Sequence, residues 1–152
     1  MSSVKEKCSE DEIAFFGEIY KNAKMGADSI INLLPSVKDD AVRSLMTQQL
    51  DGYEKYAARA ERALDARGIH AKEEGLFTRV SARIGMAFHT MLDSTTSHIA
   101  EMMVQGSNMG ITETTKLLNT YEPLGTAAEA ARLAREIVAF EEHNLEMMKR
   151  FL

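Results

Sequence analysis

The stretch "IAFFGEIYKNAKMGADSIINLL", residues 13–34, sets the fold class of this chain. Its apolar residues recur three and four positions apart, which is the spacing of one face of an α-helix. This face consists of Ile13, Phe16, Ile19, Tyr20, Ala23, Ala27, Ile30, Ile31 and Leu34. Ser9 and Glu12 form a capping box in front of the stretch, and Pro35 follows it. The sequence therefore predicts a long amphipathic helix that begins at Ser9 and ends before Pro35.

Two further helices are bounded by capping residues. Ser36 and Asp39 precede a second periodic stretch, and Gly68 follows it as a C-terminal stop. The inward face of this helix is predicted to hold Val42, Met46, Gln49, Tyr53, Tyr56, Ala57, Ala60 and Leu64. Thr126 and Glu129 form another capping box, from which the last helix is predicted to run almost to the final residue.

The third helical stretch is the one whose continuity the sequence leaves open. Helical periodicity resumes near Glu74, runs through Met102, and continues beyond Gly106 and Gly110 to Tyr121. Glycine weakens a helix interior by about 1 kcal/mol relative to alanine, so the two glycines predict a kink or a break. Residues 74–121 are therefore expected to form either one long, kinked helix or two helices.

Together these stretches predict one all-α domain, a four-helix bundle spanning residues 1–152 with residues 1–8 as a flexible leader.

The net charge is −5 and no basic stripe is present, which argues against nucleic acid as a partner. No apolar run reaches the ~18 residues that a membrane span needs. The single cysteine, Cys8, suits a reducing compartment, so we expect a cytoplasmic protein. No phosphate-binding loop, CxxC, HExxH or serine elbow is present, and no enzyme class is indicated.

A weak internal echo links the two halves of the chain. "MGADSIINLL" (25–34) resembles "MGITETTKLL" (109–118) at a shift of 84 positions. A two-fold repeat of helical hairpins and a chance match both remain open.

Three polar residues fall on inward helix faces. Glu141 and Asn144 lie near the middle of the apolar stripe of the last helix, and Gln49 occupies a similar position on the second. Burying a carboxylate is costly unless it is protonated, paired or bound to a cation. By contrast Glu142, His143 and Glu146 fall on the far side of the last helix and are predicted to form a solvated face. The tyrosines Tyr20, Tyr53 and Tyr56 are interpreted as packing residues with hydrogen-bonded hydroxyls.

The chain combines two predicted hairpins with inward polar residues and the stretches "GSNMGITETTKLLNTYEP" (106–123) and "EEHNLEMMKRFL" (141–152). In these features it resembles bacterial ferritin-like domain proteins. The resemblance implies a glutamate on one helix of each half and Glu-x-x-His on the other, as di-iron ligands. The Glu-x-x-His positions here read Gln49-x-x-Gly52 and Glu141-x-x-Asn144. The single glutamates would be Glu18 and Glu101, which lie at the edges of their apolar faces. The resemblance therefore implies the fold with a degenerate ligand set.

His98 is predicted to face inward beside Thr95, and its role has three interpretations. It is a neutral histidine in a buried hydrogen-bond network with Glu141, Asn144, Gln49 or a tyrosine. It is a ligand of one metal ion together with Glu141, with weaker help from Gln49 or Asn144. Or it forms a catalytic acid–base pair with Glu141. The candidate metal ligands are thus Glu141, His98, Gln49 and Asn144.

The sequence favours a non-catalytic ferritin-like bundle that acts as a structural or interaction protein and needs no cofactor. The alternative is a metal-binding or iron-redox protein that holds iron or another divalent metal with a reduced ligand set around Glu141 and His98. A third interpretation is a carrier of a small molecule or lipid in the methionine-rich interior (Met86, Met91, Met102, Met103, Met147, Met148). Phe15, Met25 and Leu33 lie off the main face of the first helix, which predicts a homodimer.

Overall fold

The computed structural model describes residues 4–77, 94–125 and 127–152. These residues form four α-helices and no strand, which confirms the predicted all-α class. The helices are α1 (Val4–Leu33), α2 (Asp40–Asp65), α3 (Thr96–Tyr121) and α4 (Ala128–Lys149). A 3-10 turn follows α1 at Leu34–Ser36, and another follows α3 at Glu122–Leu124.

The ends of the first two helices follow the residues that the sequence singles out. Pro35, which has no N–H to donate, lies in the turn after α1. Asp39 is the N-cap of α2, and its side chain accepts a hydrogen bond from the backbone N–H of Val42 at 2.9 Å. Beyond α2, Gly68 adopts a φ of +81° and completes a Schellman pattern of backbone hydrogen bonds.

Two helix starts differ from their predictions. Helix α1 begins at Val4 rather than at Ser9, so the predicted leader is already helical from Val4 onward. Lysine and glutamate dominate residues 4–7, and both are good helix formers, which accounts for the longer helix. Helix α4 begins at Ala128 after Ala127, which makes no side-chain capping bond, and Thr126 lies outside the described residues.

The described part of the third helical stretch contains one continuous helix, α3. Residues 70–75 form turns closed by backbone hydrogen bonds, not the start of a helix, and residues 78–93 lie outside the described residues. Helix α3 begins after Thr95, whose side chain accepts a hydrogen bond from the backbone N–H of His98. It then continues through Gly106 and Gly110 to Tyr121, so the predicted break at the glycines is wrong.

The helices pack as a bundle in which neighbours run antiparallel. At one end Glu12 of α1 binds Arg67, just after α2, and Arg67 also binds Glu129 of α4. At this same end the ring of Phe15 stacks on that of Tyr121, the last residue of α3. The start of α1 therefore lies beside the ends of α2 and α3 and the start of α4.

The chain enters the second half of the bundle from the opposite end. Leu33, at the end of α1, and Ile99, near the start of α3, belong to one apolar cluster. Helix α2 ends at the other end of the bundle, so residues 66–95 connect its two ends. The described residues thus form two helical hairpins, α1–α2 and α3–α4, joined by this connection.

The two hairpins share the geometry of their turns. Pro35 and Pro123 each lie second in a 3-10 turn, and they are 88 positions apart. The turn-closing bonds, Val37 N–H to Leu34 O and Gly125 N–H to Glu122 O, have the same spacing. The structural correspondence between the halves is therefore 88 positions, one helical turn more than the 84 suggested by the sequence echo.

Two apolar clusters fill the bundle, one towards each end, and most of the buried polar residues lie between them. Three apolar side chains are placed differently from their predictions. Phe15 and Leu33 are buried in these clusters, whereas Ile31, predicted to face inward, is 48% exposed. Of the three residues from which a homodimer is predicted, Met25 alone is exposed.

Within the described parts of the chain, no helix is both long and apolar enough to cross a membrane.

Candidate functional site

A hydrogen bond between two buried polar side chains lies in the layer between the apolar clusters. Tyr53 on α2 donates its hydroxyl proton to Oε2 of Glu141 on α4, and the two oxygen atoms are 2.9 Å apart. Both side chains are buried. Their separation of 88 positions equals the separation of the two turns. The bond therefore joins equivalent positions of the two hairpins.

Burial changes the ionisation of both groups. Burial raises the pKa of Glu141 from 4.5 to about 7, although the hydrogen bond from Tyr53 acts in the opposite direction. Burial, followed by the charge of Glu141 and the hydrogen bond to it, raises the pKa of Tyr53 well above its ordinary value of 10. Tyr53 thus remains the hydrogen-bond donor, while Glu141 changes between its neutral and ionised forms near neutral pH.

Two helical glycines let this pair lie against neighbouring backbone. A Cβ atom at Gly110 would overlap the carboxylate of Glu141. A Cβ atom at Gly26 would lie 2.7 Å from the ring of Tyr53, closer than such atoms approach in proteins. Gly110 therefore serves a close approach between α3 and α4, which explains a glycine inside an unbroken helix.

Two buried amide side chains lie about one turn from the pair. Gln49 precedes Tyr53 by four residues on α2, and Asn144 follows Glu141 by three residues on α4. Because these helices are antiparallel, both steps run in the same direction, by about 6 Å and about 4.5 Å along the bundle. Gln49 Oε1 and Asn144 Nδ2 are buried without a hydrogen-bond partner in the described part of the chain. Most buried polar atoms in proteins are hydrogen-bonded. Here the Gln49 oxygen could still accept a hydrogen bond, and the Asn144 nitrogen could still donate one.

A small cavity adjoins Glu141 on the side of α1 and α3. Its volume is about 20 Å³, and its polar lining residues are Asn22, Tyr53, Thr114 and Glu141. A cavity needs about 10–15 Å³ to hold one water molecule. The site therefore has room for a single molecule of that size.

The structure brings three of the four predicted site residues together. Glu141, Gln49 and Asn144 are all buried, as their positions on the apolar stripes predict, with the two amides about one turn along the bundle from Glu141. His98 instead lies in the first turn of α3, about one-third exposed, with its Nδ1 3.6 Å from Oε2 of Glu101. Twelve residues separate His98 from Gly110, which abuts Glu141, and this corresponds to about 18 Å along a helix. The structure therefore does not place His98 beside Glu141, either as a hydrogen-bond partner or as a fellow ligand.

The other acidic candidates lie on the surface. Glu142, His143 and Glu146 are exposed, which confirms the predicted solvated face. Glu18 is half-exposed and binds Lys21, its neighbour on the same helix, while Glu101 is exposed. None of these side chains contributes to the buried layer.

Sequence reasoning missed the pairing of Tyr53 with Glu141 and the purpose of Gly110. It interpreted Tyr53 as a packing residue with a bonded hydroxyl, which the hydrogen bond confirms, but it did not identify the partner. Aligning the halves on Pro35 and Pro123, rather than on the Met-Gly pairs, would have placed Tyr53 opposite Glu141.

The donors in this layer do not fit a di-iron centre. They are one carboxylate, one phenol and two amides, whereas ferritin-like di-iron sites use four glutamates and two histidines. Across the described ranges, no group of three or more His, Cys, Asp or Glu residues is arranged to hold a metal ion. Amide oxygens alone are weak ligands for transition metals, which prefer thiolate, imidazole or carboxylate groups.

No protein-family model matches the chain, and no curated protein matches it. Among solved structures, it is similar to the crystal structure of a DUF305 fragment from Deinococcus radiodurans. The two are 17% identical, the match covers 92% of this chain and 93% of that chain, and the TM-score is 0.67. This likeness shows a shared helical fold.

Proposed function

We propose that this chain is a non-catalytic ferritin-like bundle that acts as a structural or interaction protein, with the Tyr53–Glu141 pair in the place of a di-iron centre. The observation that carries the proposal is the 2.9 Å bond between these side chains beside a cavity of about 20 Å³. Paired metal ions in two-metal sites lie about 3.5–4 Å apart. A cavity with room for one water molecule does not provide that space.

The topology supports the ferritin-like part of the proposal. Ferritin-like bundles differ from simple up-and-down bundles in having one long crossover connection. Here the end of α2 and the start of α3 lie at opposite ends of the bundle, with residues 66–95 between them. Two antiparallel hairpins joined by one such connection are typical of ferritin-like bundles.

Iron reconstitution tests the proposal. The full chain and its Glu141→Gln variant would be incubated anaerobically with ferrous iron, desalted and measured by elemental analysis. We expect neither to retain iron in stoichiometric amount, with Glu142→Gln, an exposed neighbour on α4, as the matched control. About two irons per wild-type chain would overturn the proposal.

A single-ion site is the second candidate, and the unbonded Gln49 Oε1 favours it. This acceptor and the Asn144 amide are both buried about one turn along the bundle from the Glu141 carboxylate, so three oxygen-bearing side chains lie in neighbouring turns of the interior. A metal-binding or iron-redox role would rest on these three residues without His98. About one ion per chain, lost in Glu141→Gln and Gln49→Leu but kept in His98→Ala, would support this candidate over the first.

A homodimer would provide the interaction role. The structure leaves Met25 exposed, and Met109 on the adjacent helix α3 is 62% exposed. Light scattering at micromolar concentration tests this part of the proposal. We expect twice the chain mass, and a monomeric mass would refute it.

A further inference from the structure

The cavity beside Glu141 is lined by residues of α1 and α3 as well as by the Tyr53–Glu141 pair. Of the residues that line it, Asn22 on α1 and Gly110 on α3 are half-buried, whereas Thr114, Tyr53 and Glu141 are buried. Since Asn22 and Gly110 are the lining residues that retain partial exposure, we infer that solvent reaches the cavity beside them, whereas its buried wall includes an ionisable group. Neither the packing of the four helices nor the Tyr53–Glu141 hydrogen bond requires a cavity that connects Glu141 with solvent.

We propose that this cavity is a water site, and that its water carries protons between solvent and Glu141, so that Glu141 is a proton-binding site that equilibrates within the folded protein. The proposal goes beyond the structural or interaction role, since a bundle held together by a fixed polar pair needs no exchange with solvent. It is also independent of iron retention, because proton exchange requires no metal.

The chemistry of the lining suits one water molecule. Buried waters typically make two to four hydrogen bonds to polar groups. The Asn22 amide, the Thr114 hydroxyl and the Glu141 carboxyl group belong to the lining, and Tyr53 already binds Oε2, which leaves Oε1 for the water. When Glu141 ionises, its proton passes to this water and from it to bulk water. The carboxylate then keeps its hydrogen bond from Tyr53.

No other described group competes for this proton. Each helix contributes side chains to the cavity, and Tyr53 is the one further titratable group among them. The remaining lining residues carry no charge: Ile19, Asn22 and Ala23 on α1, Gly110 and Thr114 on α3, and Ile137 on α4. Burial raises the pKa of Tyr53 well above 10, so it keeps its proton while Glu141 titrates. A pKa of about 7 for Glu141 agrees with a proton that exchanges near neutral pH.

Infrared spectroscopy of protein with ¹³C-labelled glutamate tests the route. A protonated buried carboxyl group has a C=O stretch that shifts on transfer to D₂O, and Glu141→Gln identifies the band. In wild type we expect this shift at a rate that does not depend on added urea, which indicates exchange without global unfolding. In Asn22→Leu, which places an apolar side chain where solvent reaches the cavity, we expect exchange slower by about tenfold or more. Asn32→Leu, an exposed position on the same helix, is the matched control.

A second measurement detects the water itself. We expect nuclear Overhauser contacts between a long-lived water and the protons of Thr114 and Gly110 in the folded chain. Ala23→Val, which adds volume at the cavity wall, should remove them, and circular dichroism shows whether each variant remains folded. Absence of the water contacts in wild type would overturn the proposal. So would exchange of the Glu141 proton that follows the urea dependence of global unfolding, or equal exchange rates in the Asn22→Leu and Asn32→Leu variants.

Discussion

Replacing Glu141 by glutamine should change the pH dependence of stability. Glutamine has nearly the shape of a neutral glutamic acid and can still accept the hydrogen bond from Tyr53. It cannot ionise, so the variant removes the titration of one buried group and little else. The difference in unfolding free energy between wild type and variant therefore isolates Glu141.

The sign and size of the effect follow from the pKa of Glu141. This carboxyl group holds its proton up to about pH 7 in the folded protein and releases it near 4.5 when unfolded. Between these values the folded state binds more protons, so the free energy of unfolding falls as pH rises. The stabilisation by protonation is fully present below the unfolded pKa and is lost as pH rises through the folded pKa. The difference corresponds to about 3 kcal/mol, since one pKa unit is worth about 1.36 kcal/mol.

Urea unfolding monitored by circular dichroism measures this quantity. We expect Glu141→Gln and wild type to have similar stability near pH 5, and the variant to be more stable by about 2.5 kcal/mol near pH 8.5. Glu142→Gln, an exposed position on α4, should follow wild type throughout. A difference between wild type and Glu141→Gln that is constant with pH would refute a titrating interior carboxyl group.

Other variants test the contacts around this group. Tyr53→Phe removes the donor to Glu141, so the pKa of Glu141 should rise further and the unfolding free energy near pH 8.5 should fall by about 1.5–3 kcal/mol in urea titrations. Gly110→Ala should lower the melting temperature because its Cβ overlaps the carboxylate, whereas Gly106→Ala, which meets open space, should raise stability by up to about 1 kcal/mol. Arg67→Gln breaks ion pairs to two helices and should cost about 1 kcal/mol in low-salt urea titrations, less at high salt.

The fold could be predicted because local signals agree with the packing. Apolar spacing of three and four predicts the helices, and Asp39, Pro35 and Gly68 determine helix ends through hydrogen bonds and backbone angles that depend on nearby residues alone. The start of α1 could not be fixed in this way, because a capping box at Ser9 does not prevent good helix formers before it from continuing the helix.

The site could be predicted in part. The burial of Glu141, Asn144 and Gln49 follows from their positions on apolar stripes, which depend on the helical period. The position of His98 could not be predicted, because it depends on where α3 begins, and the apolar periodicity runs past Thr95 without marking that start. The pairing of Tyr53 with Glu141 depends on how two helices far apart in sequence are aligned. The helical period does not contain that information, whereas the spacing of Pro35 and Pro123 does.

A buried carboxyl group that lowers stability at neutral pH calls for an explanation other than stability. Apolar replacements of buried polar pairs are often neutral or stabilising, and the best-attested use of such pairs is to select one alignment of packed helices. The structure fits this use. A slip of α2 along α1 by one turn, about 5.4 Å, would bring Tyr53 from Gly26, where even a Cβ would be too close to its ring, to Asn22 or Ile30, which carry longer side chains. The same slip would break the bond to Glu141 and leave the carboxyl group without a partner. We therefore interpret the Tyr53–Glu141 pair as the feature that fixes the alignment of α2 with both α1 and α4.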